Sequence, residues 1–187
     1  MTTPRIAPIS EPYEQELAEE LHKWMPPGAA VEPLLLFRTL MVNRKLMEAM
    51  RSLGSYILGR RLSLSIRERE LIIDRTCARC DAEYEWSVHV AAFGELAGLT
   101  QTEIAATAER ASAHAWSHRE SLLIRAVDAL HDQSHIPDDL WGALAIEWSH
   151  PEILEIVAIV GYYHLISFIC NSARVALEPW GARFIPS

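Results

Sequence analysis

Apolar residues recur at the three- and four-residue spacing of amphipathic helices along most of the chain, and no segment alternates like a half-buried strand between hairpin turns. Helix starts can be read directly. Ser65 with Glu68, Thr100 with Glu103, Ser117 with Glu120 and Ser149 with Glu152 each form a capping-box pattern, in which hydroxyl and acid satisfy the free N–H groups of a first turn. Pro151 is tolerated in such a turn, and Gly98 is placed to end a helix in the left-handed conformation. The pattern predicts helices near 12–23, 33–42, 44–53, 66–79, 82–97, 101–114, 118–132, 138–148 and 151–170, with a turn at Pro26-Pro27-Gly28 and an irregular tail after Pro179. An all-α bundle follows, read as a single domain over 1–187 with residues 1–30 as an N-terminal helical extension.

A chain of 187 residues, half of them apolar and 22% charged, has enough material for one sizeable core. A formal charge of −8 without a basic stripe argues against nucleic acid as a partner. Three cysteines are too few for a disulfide scaffold, and the N-terminal stretch lacks a basic-then-apolar signal, so a cytoplasmic location is expected. Residues 153–170 are apolar enough to suggest a membrane span, but they carry Glu155 and His164 and are short for one; a buried helix and no membrane is the reading.

Candidate chemistry lies where polar groups interrupt apolar faces. In the helix from Ser65, Glu70 falls in the row of Ile66, Ile73, Cys77 and Cys80. A carboxylate there must be paired or protonated, and Arg67 or Arg75 could pair it. The next helix, which Asp81 could cap, runs its apolar face through Ala82, Trp86, Phe93 and Leu96, with Glu85 and His89 one turn apart within it. Such a pair is either a proton-transfer unit or a core histidine satisfied by an acid. Cys77-x-x-Cys80 is a candidate redox pair, or two small core residues; no second such pair exists to build a zinc ribbon. His114 with His118 and His131 with His135 have helical ligand spacing but no adjacent Glu, and no metal or other cofactor is expected. His164 shares a row with Val157, Val160 and Phe168 and could meet His89 across a pocket.

The run from Arg67 to Arg75, followed by Glu83-Tyr84-Glu85-Trp86-Ser87-Val88-His89, resembles the carboxymuconolactone decarboxylase family, whose members share the AhpD-like all-helical fold of alkylhydroperoxidase D. Ala97 to Ile104, Trp116-Ser117 with Glu120, Gly161 to Leu165 and Asn171 add to the likeness, which extends over about 33–180. In redox members the resemblance implies a Glu, a Cys-x-x-Cys, and a His four residues after the second Cys. The Glu matches Glu70 and the His matches His89, but the two cysteine positions hold Ala82 and Glu85, and Cys77-x-x-Cys80 comes five residues too early.

The resemblance thus implies a thiol-independent acid–base enzyme, decarboxylase- or lyase-like, acting on a small organic acid or lactone. His89, Glu70 and Glu85 form the candidate catalytic set, with Glu85 orienting the imidazole, Tyr84 and His164 as pocket candidates and Arg67 or Arg75 meeting a substrate carboxylate. The alternatives are a peroxidase-type oxidoreductase using Cys77 and Cys80, or a non-catalytic ligand-binding or scaffold protein. The resemblance also implies a homo-oligomer: a dimer, trimer or hexamer.

Overall fold

The structure, a computed structural model, describes residues 3–25, 32–109 and 116–184. Their regular elements are all helical, without a strand: α1 Gln15–His22, α2 Leu35–Leu40 with a 3-10 turn at Met41–Asn43, α3 Arg44–Ile57, α4 Ile66–Arg79, α5 Glu83–Phe93, α6 Gln101–Ala108, α7 His118–Gln133, α8 Asp138–Glu147 and α9 His150–Ala173. The expected turn at Pro26-Pro27-Gly28, the end of the helix expected over 101–114, and His114 lie outside the described residues.

All four expected capping boxes form, at the starts of α4, α6, α7 and α9. Three are tied together. Glu103 and Glu120, the acids of the α6 and α7 boxes, both also accept from the Arg67 guanidinium on the first turn of α4. Glu68, the acid of the α4 box, accepts from Arg119 of α7 and from the indole N–H of Trp148.

α4 is the hub, packed on α5, α6, α7 and α9. The sequence suggests one apolar stripe on this helix, whereas every residue from Arg69 to Cys77 is buried and Ile66, expected inside, is exposed. Leu96, placed on the buried face of the following helix, is also exposed, because that helix ends at Phe93 and the chain turns through Gly94 to Gly98. Gly98 does take the left-handed conformation, with φ of 65°.

The link between α4 and α5 sets the phase of the site. Asp81 does not cap α5; it stands just past the end of α4 at φ 50°. The N–H of Ala82 bonds to Cys77 O at 2.9 Å and that of Asp81 to Ala78 O at 3.0 Å, a Schellman closure. Asp is among the few non-glycine residues that enter this conformation at small cost. α9 is long and apolar enough to cross a membrane, but 56% of that apolar window is buried in the fold, as in a core helix.

Candidate functional site

One helical turn separates Glu70 from Asp74 on α4, and one turn separates Glu85 from His89 on α5. The Schellman turn sets these two rows side by side. His89 Nδ1 lies 2.8 Å from Glu70 Oε2, and Arg69 Nε donates to Glu70 Oε1 at 2.6 Å. On the other edge of the ring, Nε2 lies 3.1 Å from the Tyr163 hydroxyl and 3.5 Å from Glu85 Oε1. Tyr163 meets the imidazole edge-on at 5.0 Å, and Phe93 lies at 5.3 Å. All six polar residues are buried, Glu70 and Asp74 at 0% exposure.

Burial disfavours a charged imidazole, but the Glu70 carboxylate, with help from Glu85, overcomes it and raises the His89 pKa to about 10. His89 is therefore an imidazolium at neutral pH, with Nδ1–H donated to Glu70 and Nε2–H facing Glu85 and Tyr163. Asp74 goes the other way. Burial, and then the neighbouring Glu70, push its carboxyl well above the usual range, which favours the neutral form. Neither of its oxygens, nor Glu85 Oε2, has a hydrogen-bond partner among the described residues. Burial also keeps the Tyr163 hydroxyl protonated.

Glu85, His89 and Tyr163 line a cavity of about 590 Å³ whose remaining wall is largely apolar, built from Leu36, Phe37 and Leu40 of α2, Leu58, Val88, Phe93 and Ile166. Lys23 and Arg51 are cations on its lining. Glu70, Asp74 and Arg69 stand behind the imidazole, off that lining. A second cleft, of about 390 Å³, lies between α1 and α3, and across it Arg44 pairs with Glu20.

The sequence-derived trio of Glu70, Glu85 and His89 is thus brought together. The orienting contact expected from Glu85 is made more closely by Glu70. Other expectations are corrected. Tyr84 is buried away from the cavity, accepting from Leu36 N–H at 2.9 Å and donating to Glu178 at 2.8 Å. His164 faces His131 at 3.0 Å, not His89; one residue along α9 turns the side chain by about 100°, and Tyr163 takes the place facing the imidazole. Arg67 binds Glu103 and Glu120, and Arg75 binds Asp128, so neither pairs Glu70 nor reaches the cavity. Cys77 is fully buried and Cys80 half-buried, both are free thiols, and neither lines the cavity. Burial pushes the Cys77 thiol well above its usual value and Cys80 upward.

Sequence reasoning missed Tyr163, Asp74 and Arg69. For Asp74 the signal was available, since it follows Glu70 by four residues. For Tyr163 it lay in the row Ile156, Ile159, Tyr163, Ile166 and Cys170, all buried.

Residues 44–129 match the family model described as "CMD: Carboxymuconolactone decarboxylase family". No curated protein matches the chain. Among solved structures, an uncharacterized peroxidase-related protein from Silicibacter sp. TM1040 superposes with a TM-score of 0.81 at 15% identity, covering 99% of this chain and 100% of that one. A second, from Ralstonia eutropha JMP134 and described as an alkylhydroperoxidase AhpD core, gives 0.79 at 16% identity and 95% of each chain. A cysteine variant of the debrominase Bmp8, in complex with 2,3,4-tribromopyrrole, gives 0.69 at 16% identity, covering 96% of this chain and 94% of that one. These likenesses establish an AhpD-like all-helical fold.

Proposed function

We propose, for a chain whose residues 44–129 carry carboxymuconolactone decarboxylase family sequence, a thiol-independent acid–base enzyme of decarboxylase or lyase type. The observation that supports it is a charged imidazole held between Glu70 and a largely apolar cavity that also contains Glu85. The substrate is a small, mostly apolar organic acid or lactone that fits about 590 Å³, its carboxylate meeting Arg51 or Lys23. The Nε2–H of His89 donates a proton to the developing enolate or leaving oxygen. Glu85, unpartnered at Oε2, accepts a proton from substrate carbon or from water. Glu70 is a positioning residue: its carboxylate fixes the ring and sustains its charge, and Arg69 holds Glu70 in turn.

The peroxidase reading draws support from the descriptions of the similar structures. Against it stand Ala82 and Glu85 at the expected thiol positions, and the raised pKa of a Cys77 closed off from solvent. The deciding experiment is a thermal-shift screen of small unsaturated acids and lactones, followed by turnover assays of the hits. His89→Gln should lower turnover about 100-fold or more. Unchanged turnover in that variant overturns the assignment. Consumption of alkyl hydroperoxide with loss of titratable thiol establishes the peroxidase instead.

We also propose self-association through α9. Its outward residues Leu154, Ala158, Gly161, Leu165, Phe168 and Ser172 follow a strict four–three spacing, the seam of a helix pair, with small residues that admit a close approach.

A further inference from the structure

His131 and His135 have the spacing of a helical ligand pair, but the fold separates them. His135 turns to the Gln133 carbonyl, while His131 joins Cys80 and His164. These three come from three elements: Cys80 caps the end of α4, His131 lies near the end of α7 and His164 lies in the middle of α9. Their donor atoms all fall within 4.8 Å of one another. We infer that Cys80, His131 and His164 form a binding site for a Zn²⁺-like transition-metal ion, distinct from the His89 cavity.

The donor chemistry selects the ion. One thiolate and two imidazoles are a borderline-soft set, suited to zinc and unsuited to magnesium or calcium, which take oxygen ligands. The distances agree. A tetrahedral ion at ordinary zinc bond lengths keeps neighbouring donors ~3.3–3.6 Å apart. Here His131 Nδ1 to His164 Nε2 is 3.0 Å, Cys80 Sγ to His131 Nδ1 is 3.9 Å, and all three donors lie within 4.8 Å, a spread that small side-chain adjustments around an ion can close.

One of the donors is already oriented, and the backbone of another is anchored. His164 Nδ1–H donates to Val160 O at 2.8 Å, which fixes the tautomer and leaves the Nε2 lone pair pointing into the cluster. Asn171 Nδ2 donates to Cys80 O at 2.8 Å and holds the end of α4 against α9. The nearby Arg79 cation is paired with Asp128 and Asp132, which reduces its repulsion of an incoming ion. All three ligands are half-buried, so an ion can enter from solvent, and a water can complete the fourth position. Binding exchanges the His131–His164 hydrogen bond for two metal–nitrogen bonds, shifts the His131 proton from Nδ1 to Nε2 and releases the Cys80 thiol proton to solvent.

The test is titration of the full-length protein, reduced and freed of metal by chelation, with Co²⁺. One equivalent should produce a thiolate-to-cobalt charge-transfer band in the near ultraviolet with tetrahedral visible bands, and Zn²⁺ should abolish both. Cys80→Ser should remove the charge-transfer band. His131→Gln and His164→Gln should each weaken cobalt binding more than about 100-fold, with circular dichroism unchanged. His135→Gln should bind as the parent does. Absence of the bands in the parent overturns the site, as does their persistence in Cys80→Ser or in both histidine variants. If Cys80→Ser fails to fold, the two histidine variants carry the decision alone.

Discussion

At the scale of single residues, buried His89 keeps its charge chiefly because Glu70 is 2.8 Å away, with Glu85 adding to the effect. Its folded pKa, about 10, lies above that of an unfolded histidine, so its stabilising contribution is full below pH ~6.5 and is lost as pH rises through about 10. Urea denaturation of parent and His89→Gln between pH 6 and pH 10 should therefore show a stability difference that shrinks with increasing pH. Asp74 has the opposite sign. Its carboxyl pKa is raised in the fold, so the unfolded chain loses its proton first and the cost grows as pH rises above about 3.9. Asp74→Asn should raise the melting temperature at pH 7 and lose most of that gain by pH 4, as read by calorimetry. Equal gains at both values would mean that Asp74 is ionised.

At the scale of helices, the start of α4 is the joint that matters. Arg67 bridges two capping-box acids, so its loss removes an ion-pair partner from the first turns of both α6 and α7. Arg67→Met should cost about 1–2 kcal/mol in urea denaturation, the value for charged hydrogen bonds discounted for partial exposure. Local chemistry of this kind was legible in the sequence. The capping boxes fixed where α4, α6, α7 and α9 begin, and the convergence of Glu70 and His89 on one site followed from family resemblance, although the contact to the ring was expected from Glu85. The rotational phase of α9 was not legible. Tyr163 and His164 are adjacent, both sit among apolar neighbours, and only packing against α5 and α7 decides which one meets His89. The burial of α4 on all sides was equally hidden, since Arg69, Glu70, Asp74 and Arg75 make it read as a surface helix.

At the scale of the molecule, α9 is placed between three surroundings. Tyr163 borders the cavity, His164 belongs to the thiol–imidazole cluster, and Leu154, Leu165 and Phe168 look outward, 66%, 42% and 59% exposed. Such a face is costly to leave in water, so Leu165→Glu combined with Phe168→Glu should reduce the mass found by light scattering to that of one chain. A parent that is already monomeric would remove the proposed α9 seam. Because neighbouring residues on one rigid rod serve the two interior sites, a guest that twists the rod by a few degrees at Tyr163 must also displace His164. Any such effect is reciprocal: whatever factor a guest in the hollow applies to ion affinity, the ion returns to the guest.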